Sequence, residues 1–193
     1  ELEAAVVLDP DNPYYGIELG ALLEDASDLE RAEEMFRTAA NTPDGDWSAS
    51  LAFGDFLSRR KRFSEAVAAY SRAEELQPGS AQVLSNLGLA FLASSEPESA
   101  LVYLDQAVAA DPHSPLVLVN RGAALEALGR YAEAEHQLRS ALEIDPQRFA
   151  KAVEQPKQHA SLPRPVKVTV SPQIVLSNGA WTAPVAGAFT LTE

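Results

Sequence analysis

Three histidines and two groups of carboxylates are the residues whose chemistry could support catalysis or metal binding in this chain. His113, His136 and His159 lie far apart in sequence. His113 falls in a predicted turn and His136 on a charged helix face, so we expect both to be solvated. The carboxylates of "DPDN" and "PDGD" lack the spacing of a calcium loop with its closing glutamate and favour turns instead. Because the sequence also has no nucleophile elbow and no phosphate-binding glycine loop, we expect no active site, metal or cofactor.

Charge and composition limit the classes of partner. The chain of 193 residues has a formal net charge of −13, divided between −16 for residues 1–146 and +3 for residues 147–193. An acidic body repels nucleic acid phosphates, so we expect no nucleic acid partner. No apolar run approaches the roughly 20 residues of a membrane helix, so we expect no membrane span. No cysteine is present and the opening "ELEAAVVLDP" itself shows no export signal, which leaves the cytoplasm and a bacterial periplasm both open.

Small residues recur with a strict period of thirty-four residues along most of the chain. The glycines of this register are Gly20, Gly54, Gly88 and Gly122. Two alanines follow each glycine at fixed distances, in the pairs Ala32 and Ala39, Ala66 and Ala73, Ala100 and Ala107, and Ala134 and Ala141. Large apolar residues keep fixed places between them on a 3.6-residue period, which predicts two amphipathic helices in every unit.

This pattern resembles the tetratricopeptide repeat, a helix–turn–helix unit of the same length. The resemblance implies an all-α, right-handed α-solenoid, in which small residues sit where two helices approach closely and proline ends the second helix. The predicted boundaries are the end of a preceding repeat at 1–12 and four repeats within 13–146, taken as 13–46, 47–80, 81–114 and 115–148.

A short β-rich tail is expected after the repeats. We predict a capping helix at 147–158, because Pro156 occupies the next glycine place and forbids a longer helix. Residues 159–193 read as a proline-containing linker and a hairpin-like tail, with "VKVTV", "QIVLS" and "GAFTLT" as strands and Asn178-Gly179 as a turn. So few strands make only a marginal core. We therefore expect one of three arrangements: the strands begin a further domain, they dock on the repeats, or they exchange between copies in a homo-oligomer.

In the tetratricopeptide family the first helix of each repeat lines a groove that binds peptide. That resemblance places Asn86 and Asn120 in the groove, where an amide can donate to and accept from a peptide backbone. Arg59 is either a groove cation or part of a salt bridge. The basic residues that chaperone-binding members use to hold a carboxylate are replaced here by Ser85, Leu116 and Val119. The other groove residues predicted by the same register are Tyr14, Ile17, Leu51, Asp55, Ser85, Leu89 and Val119.

These features predict a non-catalytic scaffold that binds a peptide or protein partner in the concave groove of the array. One alternative is a regulatory or targeting domain of a longer enzyme whose catalytic part lies elsewhere. A second alternative is a self-assembling module, since repeat ends and unpaired strands both invite association.

Overall fold

The computed structural model describes residues 1–42 and 45–146 with their side chains, together with the backbone of two strands. The chain forms two compact units, Glu1–Val83 and Leu84–Glu193. The first unit contains α1 (Leu2–Leu8), α2 (Pro13–Asp25), α3 (Leu29–Ala40), α4 (Trp47–Arg59) and α5 (Phe63–Leu76). Helix α6 (Ala81–Ala93) begins in the first unit and continues in the second, which also contains α7 (Pro97–Ala110), α8 (Pro115–Ala127), α9 (Tyr131–Ile144), β1 (Val166–Val170) and β2 (Gly187–Leu191).

The helical part confirms the predicted all-α repeat fold. In the first unit α2 packs against α3, α3 against α4 and α4 against α5, and in the second α7 packs against α8 and α8 against α9. None of the helices in the described ranges has the length and apolarity that a bilayer span requires. The predicted capping helix at 147–158, the turn at Pro43-Asp44 and the hairpin turn at Asn178-Gly179 all lie outside the described residues.

Several helices begin at residues whose chemistry favours a helix start. The side chain of Asn12 accepts from the backbone N–H of Tyr14 at 3.2 Å, and Asp46 Oδ1 accepts from the N–H of Ala49 at 2.8 Å. These contacts satisfy backbone donors that a helix cannot pair internally. Proline stands in the first turn of α2, α7 and α8, where its missing N–H costs nothing.

The recurring glycines lie where the first helix of a pair meets the second. A Cβ atom added to Gly54 would stand 2.5 Å from Cε1 of Tyr70, and one added to Gly88 would stand 2.6 Å from Cγ of Leu104. Both distances are shorter than any van der Waals contact between carbon atoms. The missing side chain is therefore a packing requirement in both units.

Alanines and large side chains complete the core of each helix pair. All eight alanines of the register are buried, and so are Phe36, Tyr70, Leu104 and Leu138, which keep one fixed place in the second helices. In the second unit Leu104 and Leu138 share one cluster with Leu118, Leu125 and Ala134. The sequence period thus corresponds to a repeated alternation of small and large side chains across the helix interface.

The turn inside each helix pair repeats in detail. Ser27, Lys61, Ser95 and Gly129 are spaced by one period, and all four have positive φ angles, between 60° and 72°. At each turn the next residue returns an N–H to a carbonyl five residues back, as in Glu96 N to Phe91 O at 2.9 Å and Arg130 N to Leu125 O at 2.8 Å. This is the Schellman arrangement that closes a helix end. Three of the four turns place a residue with a side chain where glycine costs least.

The two described strands form an antiparallel pair in which Val168 is opposite Phe189. They belong to the second compact unit, and β2 lies close to both α8 and α9.

We expect Gly88→Leu to lower the free energy of unfolding by about 3 kcal/mol or more, at or above the upper end of overpacking costs. The reason is that its Cβ would meet Leu104 at 2.6 Å and the carbonyl oxygen of Ala100 at 3.2 Å. Urea unfolding followed by circular dichroism measures the change. Ala109→Leu on the exposed side of α7 is the matched control and should change stability by less than about 0.5 kcal/mol. Equal stability of the two variants would contradict the close-approach explanation.

We also expect Ser95→Gly to raise the free energy of unfolding by about 0.5–1 kcal/mol, because glycine adopts the left-handed conformation of this turn without a Cβ clash. Ser99→Gly, inside α7, is the control and should lower stability by about 1 kcal/mol at most. Thermal unfolding of the two variants should therefore shift in opposite directions, and shifts in the same direction would contradict the assignment of strain to residue 95.

Candidate partner-binding surface

In the first unit the predicted groove residues lie on the neighbouring helices α2 and α4. Tyr14 and Ile17 are one turn apart on α2, and the Tyr14 side chain is 60% exposed while Ile17 is half-buried. Leu51 and Asp55 on α4 are buried, at 3% and 5% exposure. The structure therefore makes the α2 residues accessible to a partner and encloses those of α4.

Arg59 forms a two-contact ion pair with Glu24. Its Nε donates to Glu24 Oε1 at 2.9 Å, and its second guanidinium nitrogen donates to Oε2 at 2.6 Å. Both side chains are about four-fifths buried, which gives the pair more weight than an exposed surface bridge. Of the two hypotheses for Arg59, the salt bridge is the one observed, and it ties α4 to α2.

Asp55 belongs to a buried polar cluster with the second helix of its own pair. The Tyr70 hydroxyl donates to Asp55 Oδ1 at 2.7 Å and lies 3.2 Å from Ser58 Oγ. Burial, and after it the charge of Asp55, raises the pKa of Tyr70 well above its ordinary value, while the Arg59 charge opposes the shift. The phenol therefore stays protonated and serves as a donor that fixes the Asp55 carboxylate.

In the second unit the predicted residues lie on α6 and α8, and all of them are buried. They are Ser85, Asn86, Leu89, Val119 and Asn120. Asn120 Nδ2 donates to Ser85 Oγ at 2.9 Å, which joins the two helices. The amide oxygen of Asn120 has no hydrogen-bond donor among the described residues. Half of this amide is thus already used inside the protein.

The contacts between first helices involve partners that the sequence register did not pair. Glu24 and Arg59 are thirty-five residues apart, and so are Ser85 and Asn120. The offset is one residue more than the period, whereas the sequence prediction compared residues at equal places. Pairing complementary side chains at one period plus one residue would have identified Glu24.

The two histidines that the structure describes have exposed side chains. His113 and His136 are exposed, and the backbone N–H of His113 donates to Asp111 Oδ1 at 3.3 Å. His159 lies outside the described residues. In the described part of the chain no three His, Cys, Asp or Glu side chains lie together in a way that could hold a metal ion.

The sequence profile of the tetratricopeptide repeat matches residues 17–81 and 85–149. This chain belongs to the tetratricopeptide repeat family. Solved structures agree in fold. The crystal structure of MamA superposes with a TM-score of 0.67 at 21% identity, over 77% of this chain and 87% of that one. The structure of YrrB, described as a TPR protein with an unusual peptide-binding site, gives a TM-score of 0.66 at 21% identity over 79% of each chain.

Curated relatives share the repeats over part of their length. Hsc70-interacting protein 1 of Drosophila melanogaster is 34% identical over 137 residues, which are 71% of this chain and 32% of the relative. Small glutamine-rich tetratricopeptide repeat-containing protein 2 of Mycosarcoma maydis is 34% identical over 95 residues, 49% of this chain and 27% of the relative. This tetratricopeptide chain therefore spans about a third or less of the length of these relatives.

We expect Tyr70→Phe to lower the free energy of unfolding by about 1–3 kcal/mol at pH 7, because Asp55 loses a buried hydrogen-bond donor. The variant should also change the pH dependence. Above about pH 10 the unfolded chain releases the Tyr70 proton while the folded chain keeps it, so wild-type stability falls as pH rises. This residue contributes at most about 1.4 kcal/mol per pH unit.

Urea unfolding between pH 8 and pH 11.5 tests both effects. The control is Tyr131→Phe, because the Tyr131 side chain is exposed on α9. The decline above pH 10 should be shallower in Tyr70→Phe than in the wild type or the control. Identical slopes in all three proteins would contradict a retained proton on buried Tyr70.

Proposed function

We propose that this chain is a non-catalytic scaffold that binds an extended peptide or protein segment through its first helices. Membership of the tetratricopeptide family supports the proposal. One relative is named for its interaction with Hsc70, and one structural neighbour is described by its peptide-binding site. The proposed contact surface consists of Tyr14, Ile17, Leu51, Asp55 and Arg59 in the first unit, and of Ser85, Asn86, Leu89, Val119 and Asn120 in the second.

The exposure of Tyr14 is the observation that carries the proposal. Gly16, Leu19 and Gly20 form the buried side of α2, and Tyr14 points away from them with 60% of its surface exposed. An accessible tyrosine beside an apolar Ile17 suits protein interfaces, where a rigid aromatic ring buries much area at little entropic cost. Leu51 on the neighbouring α4 is buried and adds an apolar residue to this part of the proposed surface.

The charges favour an apolar or backbone-directed partner over an acidic peptide end. Arg59, the cation of this surface in the first unit, is already paired with Glu24. In the second unit Ser85, Leu116 and Val119 stand where chaperone-binding members carry basic residues. A partner carboxylate would therefore compete with Glu24 or remain without a cation, which is costly in a desolvated site.

Asn86 and Asn120 enter the proposal as backbone-binding residues that a partner must first reach. Both are at most 4% exposed, and the Asn120 amide group donates to Ser85. The unused oxygen of Asn120 is an acceptor for a peptide N–H if the side chain turns outward on binding. Such a change costs affinity, so we expect the asparagines to contribute less than Tyr14.

The alternative hypothesis, a regulatory or targeting domain of a longer enzyme, concerns regions beyond these repeats. It remains a prediction, and the full-length gene product would test it directly. A catalytic domain next to the repeats would favour this alternative, whereas a chain made of repeats alone would favour the scaffold.

We expect Tyr14→Ala to weaken binding of a peptide selected on this protein by about 1–2 kcal/mol, roughly 5- to 30-fold in Kd. Peptides of random sequence would be selected by phage display on the immobilised wild-type chain and measured by isothermal titration calorimetry. Tyr131→Ala is a closely matched control, since Tyr131 is also 60% exposed but lies on the second helix of its pair. A loss of affinity in the control equal to that in Tyr14→Ala would contradict the proposed surface.

A second binding prediction concerns the asparagines. The double variant Asn86→Ala and Asn120→Ala should weaken the same peptide by about 0.5–1.5 kcal/mol, the net value of ordinary hydrogen bonds. Urea unfolding of the double variant and of Ser85→Ala separates structure from binding, because Ser85→Ala removes the internal contact of Asn120 and leaves its amide in place. If the double variant loses affinity only in proportion to its loss of stability, the asparagines act through the fold and not through the peptide.

A further inference from the structure

The first helix of the first described repeat, α2, and that of the last, α8, differ in how far they are enclosed. On α2 the buried residues are Gly16, Leu19 and Gly20, which form one narrow strip. On α8 they are 117–120 and 122–125, and four consecutive residues at 100° intervals already cover the whole circumference. Helix α8 is therefore enclosed on every side, although it belongs to the last of the described repeats.

Three helices account for part of this enclosure. Helix α8 packs against α7 and α9, and it meets α6 through the hydrogen bond between Asn120 and Ser85. The strand β2 is the remaining described element close to α8, and it is close to α9 as well. The strands and these helices also form a single compact unit.

We propose that the β1–β2 pair is an end cap that occupies the α8–α9 surface in place of a further helix pair. A repeat cannot bury its apolar surface without a neighbour, and a two-stranded pair is at most marginally stable alone. Contact between the strand pair and the α8–α9 surface would bury the apolar surface of the repeat and stabilise the strands. The cap and the proposed peptide-binding surface share α8, which carries Val119 and Asn120, but the experiments below do not depend on peptide binding.

Opposite charges favour this contact. Residues 115–146 carry five carboxylates and three arginines, a net charge of −2, whereas residues 147–193 carry +3. Because salt screens such attraction beyond about 8–10 Å, it acts in the docked state and not as long-range steering. Helix α8 also contains buried apolar residues such as Leu118 and Val119, so we expect the cap to persist in moderate salt.

Spin labelling tests the position of the strands directly. The chain has no cysteine, so Ala188→Cys in β2 gives a single attachment site for a nitroxide. In an ¹⁵N-labelled chain the nitroxide should broaden amide resonances of α8 and α9, and the chemically reduced label provides the reference spectrum. Unbroadened α8 and α9 resonances would overturn the proposal.

Mixing distinguishes a cap within one chain from strands exchanged between copies. An ¹⁵N-labelled chain without nitroxide is mixed with an unlabelled chain that carries it. The proposal expects no broadening in this mixture. Broadening of α8 and α9 would show that a second copy supplies the strand, and would overturn the intramolecular cap.

Strand-breaking variants test what the cap protects. Residues 188 and 189 pair with 169 and 168 of β1, and one of two adjacent residues must donate to the ladder. Either Ala188→Pro or Phe189→Pro should therefore remove a ladder hydrogen bond. In at least one of these variants α8 amides should exchange with deuterium about tenfold faster, while α2 to α4 stay unchanged as internal references.

Ala188→Val is the matched control because valine suits a strand, and its α8 exchange should equal that of the wild type. Self-association of a proline variant, measured by light scattering, would also support the proposal, since an uncovered apolar surface seeks a second copy. Wild-type exchange and mass in both proline variants, or equally fast exchange in Ala188→Val, would overturn it.

Discussion

The absence of a side chain at the glycine of each helix pair is the constraint on which the rest of this structure depends. The Tyr70 ring lies against the backbone of Gly54, and Leu104 lies against that of Gly88. The alanines of the register are buried in the same helix pairs, and the large side chains at places 36, 70, 104 and 138 fill the space that remains. Glycine is costly inside a helix, and the packing it permits offsets that cost.

The close approach also determines the polar chemistry next to the proposed surface. Tyr70 fills the space against Gly54 as Phe36 does against Gly20, but the Tyr70 hydroxyl needs a buried hydrogen-bond partner. Asp55 and Ser58 supply it from the facing helix. A residue that the sequence register assigns to partner binding is therefore also required by the core, so substitutions of Asp55 would affect folding and binding together.

The sequence predicted the helices well because small residues at a fixed spacing leave few ways to pack. The turns, the buried alanines and the close approach at Gly88 all follow from that period. The candidate surface was less predictable. Register alone puts Asn86 and Asn120 in a groove, but their accessibility depends on neighbouring helices and on hydrogen bonds such as that to Ser85. Neither property is encoded in the spacing of one repeat.

The ties between neighbouring first helices give the repeats an order. Buried alanines occupy the same two places in every repeat, so by that criterion any helix pair could follow any other. Arg59, however, needs the carboxylate of Glu24 from the pair before it, and Asn120 needs the hydroxyl of Ser85. A gene rearrangement that removed or duplicated one whole repeat would preserve the backbone packing but would leave a buried charge or amide without its hydrogen-bond partner. These two contacts therefore favour the present order of the repeats, and they limit the loss or duplication of repeats by recombination within such a modular gene.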